Sequence, residues 1–320
     1  MANYELVFDL GSAYVSAALK KDGFTDKIPA VVAVAVDTEQ IVAVGVEALR
    51  MGSAVGSGVK LTRPILEGAI VDVEGAKALI SALLSHLVNY KMSAFSRYNV
   101  TCAVPCGMIS SDKNTIENAF LSLGAKQVTF VETPLADSLH IFGEFRTRQG
   151  VVVDIGYDCV DLAVVSANSI AAGCTLYYSG KNLTDARVER IRSKYMIQLS
   201  YESGEHLKLN CASLYPNDST VGSVTGSNIQ TGAQEKVNIS SKELYDTVAE
   251  FVRKYVKIIQ SLVASVQGEV AAAVRSSGVM LCGGGAKLAG LDMFLQGELG
   301  MPVYVANFPE DGTIKGLLSL

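Results

Sequence analysis

The stretch ELVFDLGSAYVSAALKK at residues 5–21 decides the fold, because GVVVDIGYDCVDLAVVS at 150–166 repeats its pattern. Each copy is a β run, an Asp-x-Gly turn and a second β run, with Asp9-Leu10-Gly11 in the first and Asp154-Ile155-Gly156 in the second. The strand before each turn is almost continuously apolar, as expected of a strand covered on both faces. A third apolar run, VMLCGGGAKLAGLDMFL (279–295), passes through Gly283, Gly284 and Gly285 into a helix. Strand, glycine turn and helix N-terminus together make a phosphate cradle, since glycines let backbone N–H groups approach an anion. A lone Asp-x-Gly reads as a β-turn. Three such turns, each ending a buried strand, read as one phosphate site.

The rest of the chain fits two α/β units around that site. At 320 residues it is long enough for two domains. With 49% hydrophobic and 18% charged residues it has apolar surface for large cores. Its net charge of -5, without a basic cluster, argues against nucleic acid as the main partner. DVEGAKALISALLSHLVNY (72–90) has helical spacing, and Ser110 or Ser111 is expected to cap a helix through Leu121 that ends at Gly124. Ser240-x-x-Glu243 opens a long helix, about 241–275, with a break expected near Gly268. The polar tract 217–234 reads as a hairpin in a small subdomain. The six cysteines lack zinc spacing and read as buried free thiols of a reducing, cytoplasmic compartment. Neither a signal peptide nor a run approaching ~20 apolar residues is expected.

Read in order, these segments resemble the actin, chaperone and sugar-kinase ATPase superfamily, and within it the MreB family of bacterial actins. The resemblance runs from about residue 5 to 318, through Arg63-Pro64-ILEGAIVDVEGAKALI (65–80), AVPCGMISSDKNTIENAFLSLGAKQVTFVETPLADSLH (103–140), GEHLKLNCASLYP (204–216) and GMPVYVANFPEDGTIKG (300–316). It implies an actin-like α/β fold: two duplicated ribonuclease-H-like halves, 1–140 and 141–320, around a nucleotide cleft. A small subdomain is implied in each half, at about 30–62 and 180–242. The resemblance also implies ATP with Mg²⁺ as ligand. Asp9, Gly11 and Ser12 then form the first phosphate loop, and Asp154 and Gly156 the second. Asp9 and Asp154 are placed at the metal, Glu205 and Lys208 on the helix that contacts ribose and base, and Gly283, Gly284 and Gly285 on the adenosine side.

The phosphate side departs from the family pattern. Tyr157-Asp158-Cys159-Val160 stands where the family has glycines and threonines, so space and hydroxyl donors are lost and Asp158 adds charge beside an anion. Tyr14 and Val15 replace small polar residues in the first loop. The family's catalytic carboxylate, immediately before a proline, falls on Thr133, leaving Glu132 one residue early. Threonine is a poor general base. Glu132 has a second reading, as a solvated strand-end carboxylate.

The expected function is a nucleotide-binding cytoskeletal filament protein of the MreB kind, with slow or absent ATP hydrolysis, serving cell shape or intracellular organisation. The resemblance implies self-association, the inner face of the cell membrane and membrane-bound morphogenesis proteins as partners, and a cytoplasmic or peripheral membrane location. In 89–99, Met92 and Phe95 beside Lys91 and Arg97 suit an interfacial loop, or an ordinary loop with one aromatic folded onto the core. The competing class is a non-polymerising actin-fold scaffold for envelope or division proteins. A sugar kinase or chaperone fits less well: no catalytic Asp for a substrate hydroxyl is apparent, and about thirty residues follow Gly285.

Overall fold

The computed structural model of the chain describes residues 3–21, 23–54, 56, 58–91, 97–145 and 147–320. Strand β1 (Asn3–Leu10) turns at Gly11 into β2 (Tyr14–Leu19), which continues to β3 (Phe24–Pro29). Next come β4 (Val32–Ala35), β5 (Ile41–Val44), helix α1 (Gly45–Ser53) and β6 (Val59–Thr62), whose strands form a separate sheet in the order β5-β4-β6. The hairpin β7 (Ile65–Leu66) and β8 (Ala69–Ile70) then leads to α2 (Val73–Lys91), β9 (Arg97–Val104), α3 (Ser110–Ser122), β10 (Ala125–Glu132) and α4 (Thr133–Phe145).

The second part opens with β11 (Gln149–Ile155), β12 (Val160–Ser166) and β13 (Ser169–Leu176). Then follow α5 (Gly180–Tyr195), β14 (Ile197–Gln198), α6 (Tyr201–Cys211), β15 (Val221–Asn228) and β16 (Gln234–Ser240), whose strands form a separate sheet in the order β14-β15-β16. The chain closes through α7 (Ser241–Ser265), α8 (Gly268–Ser277), β17 (Val279–Cys282), α9 (Leu291–Leu299), β18 (Val303–Val305) and α10 (Gly312–Leu318).

The two large sheets have one topology. Their orders are β10-β9-β1-β2-β3 and β18-β17-β11-β12-β13. In each, three antiparallel strands in hairpin order are joined by two strands parallel to the first. Side chains alternate along the central strands as a pleat requires. Leu6, Phe8 and Leu10 share a core with Leu79, Ile80 and Leu83 of α2, while Val7 packs with Ala136 of α4 and Ile314 of α10. In the second sheet Val151, Val153 and Ile155 face Val252, Val256 and Ile259 of α7, while Val152 packs with Ile141 and Phe142 of α4. Both strands are therefore covered on both faces, which is why they read as continuous apolar runs.

Most of the expected helices form where their signals lie. Ser240 accepts a hydrogen bond from the Glu243 N–H at 3.3 Å and starts α7. The long helix breaks after Ser265 and resumes at Gly268, whose φ of 63° only glycine adopts freely. The cap of α3 differs from expectation. Ile109 occupies it, and Ser110 and Ser111 are already helical, because a turn from Pro105 (Met108 N–H to Pro105 O, 3.2 Å) delivers the chain one residue earlier. Residues 221–240 form the antiparallel pair β15–β16, and all six cysteines are free.

Helices α4 and α10 join the two sheets. The last helix returns to the first sheet and lies against α4, with Gly316 so close that a Cβ there would sit 1.7 Å from the Ala136 carbonyl oxygen. A methyl group must push the helices apart, and overpacking of this kind costs about 1–3 kcal/mol. Gly316→Ala should therefore lower the midpoint of thermal unfolding by several degrees, measured by circular dichroism. An unchanged midpoint would mean the helices are not in contact there.

Candidate functional site

The site is assembled from the turns after β1, β11 and β17. In the first loop a Cβ on Gly11 would meet Tyr14 O at 2.8 Å, and in the second a Cβ on Gly156 would meet Cys159 O at 2.9 Å. The two loops thus make the same tight turn, and each is closed to any residue with a side chain. The Gly156 N–H donates to Cys159 O at 3.0 Å. The outer carbonyls of the second loop are sewn to the start of α5: Gly180 N–H reaches Gly156 O at 3.3 Å, and Lys181 N–H reaches Tyr157 O at 2.6 Å. Ser179 Oγ–H also donates to Tyr157 O, at 2.8 Å. After β17, Gly283 donates its N–H to Pro309 O at 2.8 Å, and Gly284–Lys287 forms a single 3₁₀ turn.

Next to that turn lies a cavity of about 340 Å³, lined by Gly284, Gly285, Ile155, Lys208, Leu183 and Tyr255 among others. This is within the size range of small-ligand pockets. Lys208 on α6 spans its wall, with Nζ 3.0 Å from Gly180 O and 2.8 Å from Glu205 Oε1. Glu205 itself does not line the cavity; Thr184 donates to its Oε2 at 2.5 Å, so this carboxylate sets the position of Lys208. Burial lowers the Lys208 pKa, with Glu205 acting in the opposite direction.

Asp9 and Asp154 stand one residue before the ends of β1 and β11, and the charge of Asp9 reaches Asp154. Burial raises Asp9 to about 6, against the opposing pull of Lys27, and raises Asp154 to about 7 with help from Asp161 and Asp9. Lys27 is itself bound to Asp311 at 3.1 Å. Two carboxyls that sequence reading did not single out join this group. Asp161 accepts from Thr175 and from the Cys106 N–H (2.9 Å) and is raised to about 6 by burial. Asp137, on α4 and fully buried, lies 2.9 Å from the Thr313 hydroxyl, which also approaches Asp154 Oδ2 at 3.4 Å. Burial, then the charge of Asp154, holds Asp137 well above the usual carboxylate range. Among the described residues no group of three or more His, Cys, Asp or Glu side chains has the arrangement of a protein-only metal cage.

The remaining sequence-expected residues are placed as follows. Ser12 is 5% exposed and its hydroxyl has no protein partner. Glu132 Oε1 accepts from the Gly107 N–H at 2.7 Å, and Thr133 Oγ–H donates to Val104 O at 3.1 Å. Asp158 does not present its charge to the cleft, contrary to expectation: it is buried, and its Oδ2 accepts from the Glu67 N–H at 2.7 Å. Met92 and Phe95 lie outside the described residues.

Because Asp9, Asp137, Asp154 and Asp161 all hold protons more tightly folded than unfolded, their contribution is fully present below the ordinary carboxylate pKa. It is lost as pH rises through the folded values, about 6 to 7 where these are resolved. Nucleotide-free protein without divalent cations should therefore melt several degrees higher at about pH 5 than at about pH 8. Calorimetry giving the reverse order would contradict the burial of these groups.

Comparison with known proteins gives one answer. A profile of the MreB/Mbl protein family matches residues 3–320. The chain is 28% identical over 309 residues to the cell shape-determining protein Mbl of Bacillus subtilis (strain 168), covering 96% of this chain and 92% of that protein. To the cell shape-determining protein MreB of Escherichia coli (strain K12) it is 26% identical over 322 residues, covering 99% and 92%. The fold superposes on MreB 5 of Spiroplasma citri bound to AMPPNP with a TM-score of 0.92 at 24% identity, covering 99% and 95%. It superposes on a chain of the MamK double helical filament with a TM-score of 0.84 at 17% identity, covering 99% and 98%. With its twin sheets, its repeated Asp-x-Gly turns and a family profile matched from residue 3 to 320, the chain belongs to the MreB/Mbl family of actin-fold proteins.

Proposed function

We propose that this chain is a nucleotide-binding filament protein of the MreB kind that takes ATP with Mg²⁺ in its cleft, hydrolyses it slowly or not at all, and serves cell shape or intracellular organisation. The observation that carries this reading is the cavity bounded by Gly284, Gly285, Ile155 and Lys208, with Asp154 packed against Gly283 beside it. In this reading the halves 1–140 and 141–320 are duplicated ribonuclease-H-like units that clamp the nucleotide, with lobes at about 30–62 and 180–242. The matching order of the two large sheets supports the duplication. The AMPPNP held by the Spiroplasma citri protein and the filament built by MamK support the ligand and the assembly.

The chain's own residues fit the ligand. Gly283, Gly284 and Gly285 receive the adenosine side and Lys208, set by Glu205, the ribose side. Gly11, Ser12 and Gly156 turn the backbone beneath the phosphates, where the unpartnered Ser12 hydroxyl is available as a donor. Asp9 and Asp154 would hold hydrated Mg²⁺ through its water shell, since this ion keeps several waters and uses one or two carboxylates with the phosphates. Its charge favours the ionised form of both carboxyls, which burial alone disfavours. Slow hydrolysis fits a site whose residue before the proline is a threonine, a poor general base, and whose two candidates for orienting water each already make one protein hydrogen bond. The Glu132 carboxylate is tied to the Gly107 amide, and the Thr133 hydroxyl donates to Val104 O.

The principal test is sedimentation of purified protein with and without Mg-ATP, negative-stain imaging of the pellet, and phosphate release from the same samples. Filaments in the Mg-ATP pellet with little phosphate released are expected. Folded protein that stays in the supernatant with Mg-ATP would replace the filament with the non-polymerising scaffold. Brisk phosphate release would refute the slow turnover.

Attachment to the inner face of the membrane, through Met92 and Phe95, is part of the same proposal. Among the described residues no helix is long and apolar enough to cross a bilayer, so contact is peripheral in this reading. Flotation with anionic liposomes should recover the wild type and markedly less of Phe95→Ala. Equal recovery would remove that loop from the interaction.

A further inference from the structure

The residues that spoil the second phosphate loop as a phosphate cradle have partners of their own on the other side of the cleft. Tyr157 and Asp158 follow β11, whereas their partners lie on the segment between β6 and β8. Asp158, 7% exposed, accepts the Glu67 N–H at 2.7 Å, across 91 residues of sequence. One residue earlier, the Tyr157 ring lies under the Arg63 guanidinium, 4.7 Å from Cζ to the ring centroid, within the range of a cation–π contact. Arg63 is pinned from behind, its Nη1 donating to the Ser12 carbonyl of the first phosphate loop at 2.8 Å. Three segments therefore meet at one point: the first loop, the second loop and the β7–β8 hairpin.

The hairpin is shaped to receive Asp158. Its two turn residues both lie in the left-handed region, Glu67 at φ 53° and Gly68 at φ 75°. That backbone is unfavourable for a glutamate and persists where neighbours hold it. Gly68 packs directly on Pro105 of the strand β9 exit, which fixes the hairpin from below. One further bond crosses nearby, Cys106 N–H to Asp161 at 2.9 Å, with Thr175 Oγ, which donates to Asp161, also 3.0 Å from the Cys106 carbonyl oxygen.

We propose that Tyr157 and Asp158, with Arg63 and the Glu67 amide, form a clasp that holds the two halves closed without nucleotide. In a cleft with glycines and hydroxyls in the second loop, closure depends on the phosphates that both loops grip. Here the same loop grips the opposite half through its own side chains. The closed conformation becomes a property of the chain, and nucleotide is not required for it. This inference rests on the reading of the cleft as the nucleotide site, but does not require that the chain polymerise.

The test is hydrogen exchange of the full chain, kept dilute so that no polymer forms, reading peptides that cover 63–70 and, as a folding control, 149–155. Wild type without nucleotide should protect the Glu67 region as well as it does in Mg-ATP. Asp158→Ala should exchange there at least about tenfold faster without nucleotide, the loss expected for a buried hydrogen bond to a charged acceptor. Mg-ATP should recover most of that protection. Asp158→Asn, which keeps a side-chain acceptor, should stay near wild type, and the 149–155 peptide should be unchanged in all three proteins. Protection of wild type that appears only with Mg-ATP would overturn the clasp, as would an Asp158→Ala profile equal to wild type. Because exchange is read on monomers, a chain that never forms filaments would sink the filament reading and leave the clasp standing.

Discussion

The contact between α4 and α10 is the constraint on which the cleft depends. Each large sheet buries one face under helices of its own, α2 for the first and α7 for the second. The other faces are covered by a shared pair, with Ala136, Ile314 and Leu317 against the first sheet and Ile141 and Phe142 against the second. The absence of a side chain at Gly316 sets how closely that pair can pack. Through it β1 and β11, which belong to different sheets, end close enough for the charge of Asp9 to act on Asp154. A site made of two strand ends from different sheets exists only while this joint is tight.

Close approach of the strand ends has an electrostatic cost. Four carboxyls collect in one partly dry region, and Lys27 is the main cation working against the rise at Asp9. Proteins that keep such a cluster use protons, cations or dipoles to offset it. Thr313 bridges Asp137 and Asp154, while Thr175 and the Cys106 amide serve Asp161. A cation placed among these carboxyls would be favoured by the same imbalance that disfavours the ionised cluster alone.

Much of this architecture was legible because it is local. Strands buried on both faces read as unbroken apolar runs, the repeated Asp-x-Gly marks the two equivalent turns, and Ser240 and Gly268 mark where the long helix starts and breaks. What escaped reading depends on partners far away in sequence. Asp137 sits in an ordinary helical stretch, TPLADSL, and nothing nearby says that Thr313, 176 residues later, will bury it beside Asp154. Arg187 lies in a helix as polar as any solvated one, yet it is fully buried, and burial lowers its pKa to about 10. The family resemblance implies that Glu205 contacts ligand, but its position on α6 gives no hint that Thr184 claims one of its oxygens. The local signal there was a helix face, and the division of labour between Glu205 and Lys208 came from packing.

Asp158 makes the same point about a departure from family pattern. Read along the chain, a carboxylate in a phosphate loop is damage, because only like charge lies ahead of it. Placed in the fold it is the acceptor that a strained hairpin amide needs, and the tyrosine before it is the surface on which an arginine rests. Loss of cradle chemistry and gain of contact across the cleft are one substitution seen from two sides. A loop that has exchanged phosphate donors for protein partners is under different constraints from a loop that has merely decayed. In a decayed loop the four positions Arg63, Glu67, Tyr157 and Asp158 would be free to change independently. In this fold Arg63 is tied to Tyr157, and Asp158 to the backbone amide at position 67, which any residue but proline would supply.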